Sequence, residues 1–272
     1  MKLIFLDVDG TLTPPGALEP PQSALDAIRA ARAAGNKVFL CSGRNVAMLA
    51  PLLPYGFDGY IASAGGYVVC GDKVLNDCPM TGEQSDRVLS LLKENGIYRT
   101  IEARDASYCD EGTAEFMGRA DGGDRELERW WREMVEHLHV LPMHEYDGRP
   151  VYKVLFLCGD EEQIESVQKV LGAEFNFIVQ EAFSKGCVNG EMINRKFDKG
   201  LGIRLVAEEL GVPIADTVGF GDSMNDLEMI ETAGVGVCMA NGSEALKRAC
   251  DMVCPSVAEN GIAEAFRTLK LV

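Results

Sequence analysis

The chain alternates short, uninterrupted apolar runs with longer stretches in which apolar residues recur every three or four positions. Lys2-Leu-Ile-Phe-Leu6, Lys37-Val-Phe-Leu-Cys41 and Gly59-Tyr-Ile-Ala62 are runs of the first kind. An apolar run without polar alternation predicts a strand buried on both faces, as in a parallel sheet covered by helices. Between the first two runs, Pro20-Pro21 precedes a helical stretch over Ser23–Ala34, with Leu25 and Ile28 on one face and Gly35 as its stop. This βαβαβ opening predicts an α/β fold with a Rossmann-like, doubly wound parallel sheet. Tyr67–Leu75 then reads as a small hairpin around Gly71-Asp72.

The texture changes between about residues 80 and 185. A helix with Val88, Leu91 and Leu92 on one face ends at Gly96, and a polar, acidic stretch follows from Asp105 to Asp147. A strand over Tyr152–Leu157, a helix carrying Ile164, Val167 and Leu171, and a strand over Phe175–Val179 come next. Residues 81–185 are therefore read as an inserted α+β domain, and residues 1–80 and 186–272 as the core. Within the resumed core, a helix spans Leu201–Leu210, strands cover Thr217–Phe220 and Gly234–Met239, and a final helix begins near Glu259.

Composition narrows the class. The 272 residues are 47% hydrophobic and 25% charged, which suits a packed globular protein. Forty-two acidic residues against 26 Lys and Arg give a formal charge of −16. Such a chain repels phosphate backbones and anionic lipid, which argues against a nucleic-acid or membrane-surface role. It can still bind a phosphate where the site brings its own cations. The run Leu3–Leu6 is broken by Asp7 and Asp9 and is too short for a secretory signal. No stretch approaches the ~20 apolar residues of a membrane span. Nine scattered cysteines without a CxxC pair read as reduced thiols, hence a cytoplasmic protein.

Candidate chemistry gathers at strand tips. Asp7-Val-Asp9-Gly-Thr11 ends the first strand, where ligands collect in an open parallel sheet. A carboxylate there can ligate a hard cation or attack phosphorus, while a second moves a proton. Taken alone, the pair is also an ordinary turn with two solvated acids. Ser42-Gly43-Arg44 ends the second strand, offering a hydroxyl and a cation to a phosphate. Lys199 stands at a helix start, where its charge is unfavourable unless an anion lies nearby. Asp222-Ser223-Met-Asn225-Asp226 follows the strand at Thr217–Phe220. Asp222 can join the first-strand acids around a divalent ion, and oxygen donors with a substrate phosphate point to Mg²⁺.

These four elements, in this order, resemble the four motifs of the haloacid dehalogenase-like hydrolase superfamily, and within it the Cof-type phosphatases with a large α/β cap of the class IIB kind. Met239-Ala-Asn-Gly-Ser-Glu-Ala-Leu-Lys-Arg-Ala249 and Glu259-Asn-Gly-Ile-Ala263 resemble the family as well, and the likeness covers essentially the whole chain. The resemblance implies that Asp7 is the nucleophile that forms an aspartyl-phosphate and ligates Mg²⁺. Asp9 would ligate through its carbonyl, protonate the leaving alcohol and activate water. Ser42, with Gly43 and Arg44, would hold the phosphoryl group, and Lys199 would neutralise it. Asp222 would ligate Mg²⁺, with Ser223, Asn225 and Asp226 in support. The inserted domain would act as a cap that closes over a small phosphorylated metabolite, a sugar phosphate first. Flavin mononucleotide or pyridoxal phosphate fits the same motifs.

Two departures stand out. The family's usual Asn-Gly after the third strand is replaced by Ser63-Ala64-Gly65-Gly66, and Asn241-Gly242 replaces the commoner Asn-Ala. A phosphotransferase or mutase using the same intermediate, and a non-catalytic metal-binding or interaction protein, are the rival readings. His137 and His139, with His144 nearby, fit solvated side chains better than a metal site, because i,i+2 residues on a helix point apart. Trp130 and Trp131 suit either a core or a contact surface, so oligomeric state stays open.

Overall fold

The apolar runs lie side by side at the centre of an eight-stranded sheet. In this computed structural model, which describes residues 1–17, 19–120, 140–179 and 187–272, β1 (Leu3–Leu6) is flanked by two parallel neighbours. These are β2 (Lys37–Cys41) and β12 (Thr217–Gly221). The sheet continues through β3 (Gly59–Ala62) to the antiparallel hairpin β4 (Tyr67–Cys70) and β5 (Lys73–Asp77). On the other side it runs through β13 (Val235–Met239) to β14 (Met252–Cys254). The chain divides into two compact units. The first holds residues 1–44, 49–77 and 197–272, and the second holds 45–48 and 78–196.

Helices cover both faces of the first unit's sheet, so the expected doubly wound α/β fold is present. On one face Phe5, Phe39, Ile61 and Val68 pack against Ile203 and Val206 of a helix at Lys199–Glu209. Phe5 and Phe39 stack with ring centroids 5.2 Å apart. On the other face Phe220 meets Phe266 of the closing helix Gly261–Thr268 at 5.5 Å. The first helix, α1 (Gln22–Ala33), buries Leu25 and Ile28 and stops before Gly35. Each fully buried Phe contributes about 1.5–3 kcal/mol through the apolar area it removes from water. From β1 the chain moves out through β2 and β3, and from β12 it moves the opposite way to β13. Loops after β1 and β12 therefore part at their carboxyl ends, which opens a crevice at the switch point.

The second unit is a six-stranded sheet in the order β10 (Phe175–Val179), β11 (Val188–Asn194), β9 (Val151–Cys158), β6 (Tyr98–Ala103), β7 (Ser107–Cys109), β8 (Val140–Pro142). One face buries Ile101, Val154, Phe156 and Met192 beneath two helices. These are α3 (Gly82–Glu94), which supplies Val88 and Leu92, and α5 (Glu161–Leu171), which supplies Ile164 and Val167. Capping boxes at Thr81/Gln84 and Asp160/Gln163 fix where the two helices begin. The opposite face carries Glu102, Lys153 and Glu191, all buried, with the ammonium 3.4 Å from an oxygen of each carboxylate. β11 lies in this sheet, although the core rhythm is expected from residue 186.

Shorter helices are α2 (Val46–Leu49), α4 (Thr113–Ala120), α7 (Leu227–Thr232) and α8 (Glu244–Ala249). The helices at Lys199–Glu209 and Gly261–Thr268 are α6 and α9 in this numbering. Cys250 caps α8 and Cys254 ends β14, so these two cysteines, four residues apart, do not share a helix. Trp130, Trp131, His137, His139 and the acidic run Asp121–Glu136 lie outside the described residues. His144 is exposed, with Nδ1 2.7 Å from Glu111. Among the described residues no helix is long and apolar enough to cross a membrane.

Candidate active site

Asp7 leaves β1 at the sheet's carboxyl edge. Its N–H donates to the Phe220 carbonyl at 2.9 Å, which holds the first residue of the loop beside β12. The loop then folds on itself: the Val8 carbonyl accepts from Leu12 and Thr13 N–H groups and from the Thr13 hydroxyl. Gly10 sits at φ +81°, and a Cβ there would come within 2.3 Å of Asp222 Oδ2. Only glycine permits both that backbone and the close approach of Asp222.

Lys199 opens α6. Asp198 caps the helix, its carboxylate accepting from Leu201 N–H at 2.6 Å. The first turn directs Lys199 inward, where its Nζ lies 2.7 Å from Asp7 Oδ1 and 2.5 Å from Asp226 Oδ1. The anion that a lysine at a helix N-terminus requires is thus supplied twice. Asp226 spends its other oxygen, Oδ2, on the N–H groups of Asp222 and Ser223. Gly65, at φ +106°, lets the loop after β3 reach this helix start, since a Cβ would lie 2.2 Å from the Asp198 carbonyl oxygen.

One ammonium faces three carboxylates. Oxygens of Asp7, Asp222 and Asp226 all lie within 4.8 Å of one another. Burial, then the charge of Asp226, raises the Asp7 carboxyl well above the usual carboxylate range, although Lys199 opposes this. Burial and Asp226 push Asp222 up to about 7. Burial works against the Lys199 charge, but Asp226 and Asp7 outweigh it and hold the ammonium well above its ordinary value. Surplus negative charge in a buried cluster of hard oxygen donors fits a divalent cation. Both oxygens of Asp226 are already engaged, so Asp7 and Asp222 are the carboxylates best placed to ligate one.

The remaining expected residues fall around this centre. Ser42 is buried, with its N–H on the Ile61 carbonyl and its hydroxyl accepting from Arg44 N–H at 3.1 Å. Gly43 is half-buried in the same turn. The Arg44 guanidinium meets the Asp9 carboxylate, Nε to Oδ2 at 2.9 Å and Nη2 to Oδ1 at 2.6 Å. The Ser223 hydroxyl donates to Asn225 Oδ1 at 2.7 Å.

Three further contacts, whose roles no motif in the sequence marks, support the site. The Thr11 hydroxyl donates to Asp222 Oδ1 at 3.4 Å. Asn241 Nδ2 donates to the Gly10 carbonyl at 2.8 Å while its Oδ1 accepts from Val257 N–H. Ser243 N–H donates to the Asp222 carbonyl at 2.8 Å. The Asn241-Gly242 departure carries the only signal for the last two: a Cβ on Gly242 would lie 2.7 Å from the Asp222 carbonyl oxygen.

A sequence profile of the haloacid dehalogenase-like hydrolases matches residues 4–266. The chain belongs to the haloacid dehalogenase-like hydrolase family. The protein YkrA of Bacillus subtilis (strain 168) is 30% identical over 287 residues, covering 100% of this chain and 98% of that one. A second Bacillus subtilis (strain 168) relative, the 5-amino-6-(5-phospho-D-ribitylamino)uracil phosphatase YwtE, is 25% identical over 97% of this chain and 96% of its own. Among solved structures, the HAD subclass IIB sugar phosphatase BT4131 superposes with a TM-score of 0.79 over 100% of both chains. At 22% identity that likeness concerns the fold. The chain is therefore an enzyme, a phosphatase of the haloacid dehalogenase-like family, and the non-catalytic reading is set aside.

Proposed function

We propose that this haloacid dehalogenase-like phosphatase is a Mg²⁺-dependent phosphomonoesterase that works through an aspartyl-phosphate on Asp7. Its substrate would be a small phosphorylated metabolite, a sugar phosphate first. The observation that carries this reading is the Lys199 ammonium seated between Asp7 and Asp226, with Asp222 alongside. The Asp7 and Asp222 carboxylates and the Asp9 carbonyl would hold the Mg²⁺, which polarises phosphoryl oxygens and offsets their charge.

Asp7 attacks phosphorus, and the bond between phosphorus and the ester oxygen breaks with its electron pair going to that oxygen. Asp9 gives the departing oxygen a proton. In the second half, Asp9 takes a proton from water, whose oxygen attacks the aspartyl-phosphate, and Asp7 is regenerated as a carboxylate. Lys199 stays paired with Asp7 and balances charge as phosphoryl oxygens arrive. Ser42 and Asn225 would donate to the phosphoryl group, and Ser223 and Asp226 would hold the loop that presents Asp222. The second unit would choose the leaving group. A cytoplasmic setting completes the proposal and is supported by nine cysteines present as thiols.

Phosphate release from an aryl phosphate and a panel of sugar and cofactor phosphates tests it, with Mg²⁺, with EDTA, and with Asp7→Asn. Metal-dependent release abolished by Asp7→Asn is the expected result. Release indifferent to Asp7 would overturn the mechanism, and phosphate appearing on an added sugar instead of in solution would mark a transferase.

A further inference from the structure

Asp9, the proton carrier in the proposed reaction, is the least supported acid of the site. Its side chain is 59% exposed, whereas those of Asp7, Lys199 and Asp226 are at most 7% exposed. An exposed Asp has several staggered side-chain positions within reach. Among the described residues, Arg44 is the side chain that meets its carboxylate, through two parallel N–H···O bonds of 2.9 and 2.6 Å. A fork of this kind fixes the plane and direction of a carboxylate as well as attracting it.

Arg44 is itself well seated. Its side chain is 16% exposed, its N–H donates to Ser42 Oγ, and its carbonyl accepts from Ser63 N–H at 2.8 Å. The guanidinium therefore projects from a turn tied to its own residue Ser42 and to the loop after β3. Sequence reasoning assigns this cation to the phosphoryl group, whereas two of its N–H donors are spent on Asp9.

We propose that Arg44 is a positioning residue for proton transfer, whose guanidinium forks Asp9 and aims it at the leaving-group oxygen. The inference rests on the phosphatase reading above, in which Asp9 gives that proton. When Asp9 carries the proton on one oxygen, the other oxygen still accepts from the guanidinium, so one prong keeps the aim through the change of charge. Arg44→Lys keeps a cation but loses the fork, which separates orientation from charge.

The test compares kcat/KM for p-nitrophenyl phosphate, phenyl phosphate and glycerol phosphate in the wild type, Arg44→Lys, Arg44→Gln and Asp9→Asn. This ratio reports steps up to departure of the leaving group, so the second half-reaction does not mask the result. A good leaving group needs no acid, whereas an alcohol does. General acid catalysis contributes about 10²–10⁴-fold. Both Arg44 variants are expected to lose about 10²-fold on glycerol phosphate and less than about threefold on p-nitrophenyl phosphate. Inhibition by inorganic phosphate should be unchanged, which also reports an intact site, and Asp9→Asn should show the same dependence on leaving group.

A uniform loss across the three esters with weaker phosphate inhibition would overturn the proposal and return Arg44 to phosphate binding. Wild-type kinetics in Arg44→Lys would overturn the need for the fork. A wild type inactive on all three esters, or an Asp9→Asn variant indifferent to leaving group, would instead strike the underlying phosphatase reading.

Discussion

Replacing Lys199 by Met keeps the length of the side chain and removes the ammonium shared by Asp7 and Asp226. At separations of 2.7 and 2.5 Å and an effective dielectric near 20, each contact gains roughly 6 kcal/mol of Coulomb energy. Desolvation of the buried charges offsets much of this, and breaking a buried pair typically costs about 3–5 kcal/mol because uncompensated carboxylates remain. For a domain of about 150–250 residues, each kcal/mol moves Tm by about 2–4 °C. The variant is thus expected to melt roughly 6–20 °C lower in EDTA.

The loss must depend on pH with a definite sign. Without the ammonium, the folded-state carboxyl of Asp7, already raised by burial, rises further above its unfolded value near 4. Groups raised in the folded state destabilise it as pH climbs, so the deficit is largest near about pH 8 and shrinks toward about pH 5. Thermal and urea unfolding at both pH values measure it. A deficit below about 1 kcal/mol, or one indifferent to pH, would refute the view that Lys199 is the counter-ion of these acids.

The Asp222 carboxyl, pushed up to about 7 by burial and Asp226, makes its contribution to metal-free stability greatest below its unfolded value and lost as pH rises through 7. In the proposed site Mg²⁺ would displace that proton, so its thermal stabilisation should be larger near about pH 8 than near about pH 6, and the reverse order would contradict the assignment. Ala64 stands at φ +56°, a left-handed position that costs an alanine about 1–2 kcal/mol and that Asn tolerates. Ala64→Asn should raise stability by about 1 kcal/mol in urea titrations, and no gain would show that the strain is absorbed elsewhere. In the second unit, Lys153→Met should cost about 3–5 kcal/mol. Adding Glu102→Leu and Glu191→Leu should recover most of it, whereas a triple variant as unstable as the single one would contradict the charge argument.

The parallel core was legible because its strands are continuous apolar runs with abrupt polar ends. The strands Lys37–Cys41 and Gly59–Ala62 have the same bounds as their apolar runs. Asp7 and Asp222 declared themselves by standing at such ends. The strands Tyr98–Ala103 and Val188–Asn194 did not show, because their sheet buries charge on one face: Glu102 and Glu191 interrupt the apolar alternation that marks a half-buried strand. Lys199 stands at a helix start, where its charge calls for an anion, and the fold supplies two. Arg44 was recognisable as a cation near the site, but its partner depends on how the turns after β1 and β2 face each other. Asn241 is further removed, since nothing local indicates that its amide would bridge Gly10 and Val257.

The central claim is covalent: Asp7 carries the phosphoryl group between ester and water. Rapid quenching in acid during turnover of a substrate with a radiolabelled phosphoryl group tests it most directly. The account predicts hydroxylamine-labile label on the peptide containing Asp7, formed as fast as alcohol is released and absent from Asp7→Asn. Phosphate release by Asp7→Asn at the wild-type rate, or release by the wild type with no label on that peptide, would contradict it.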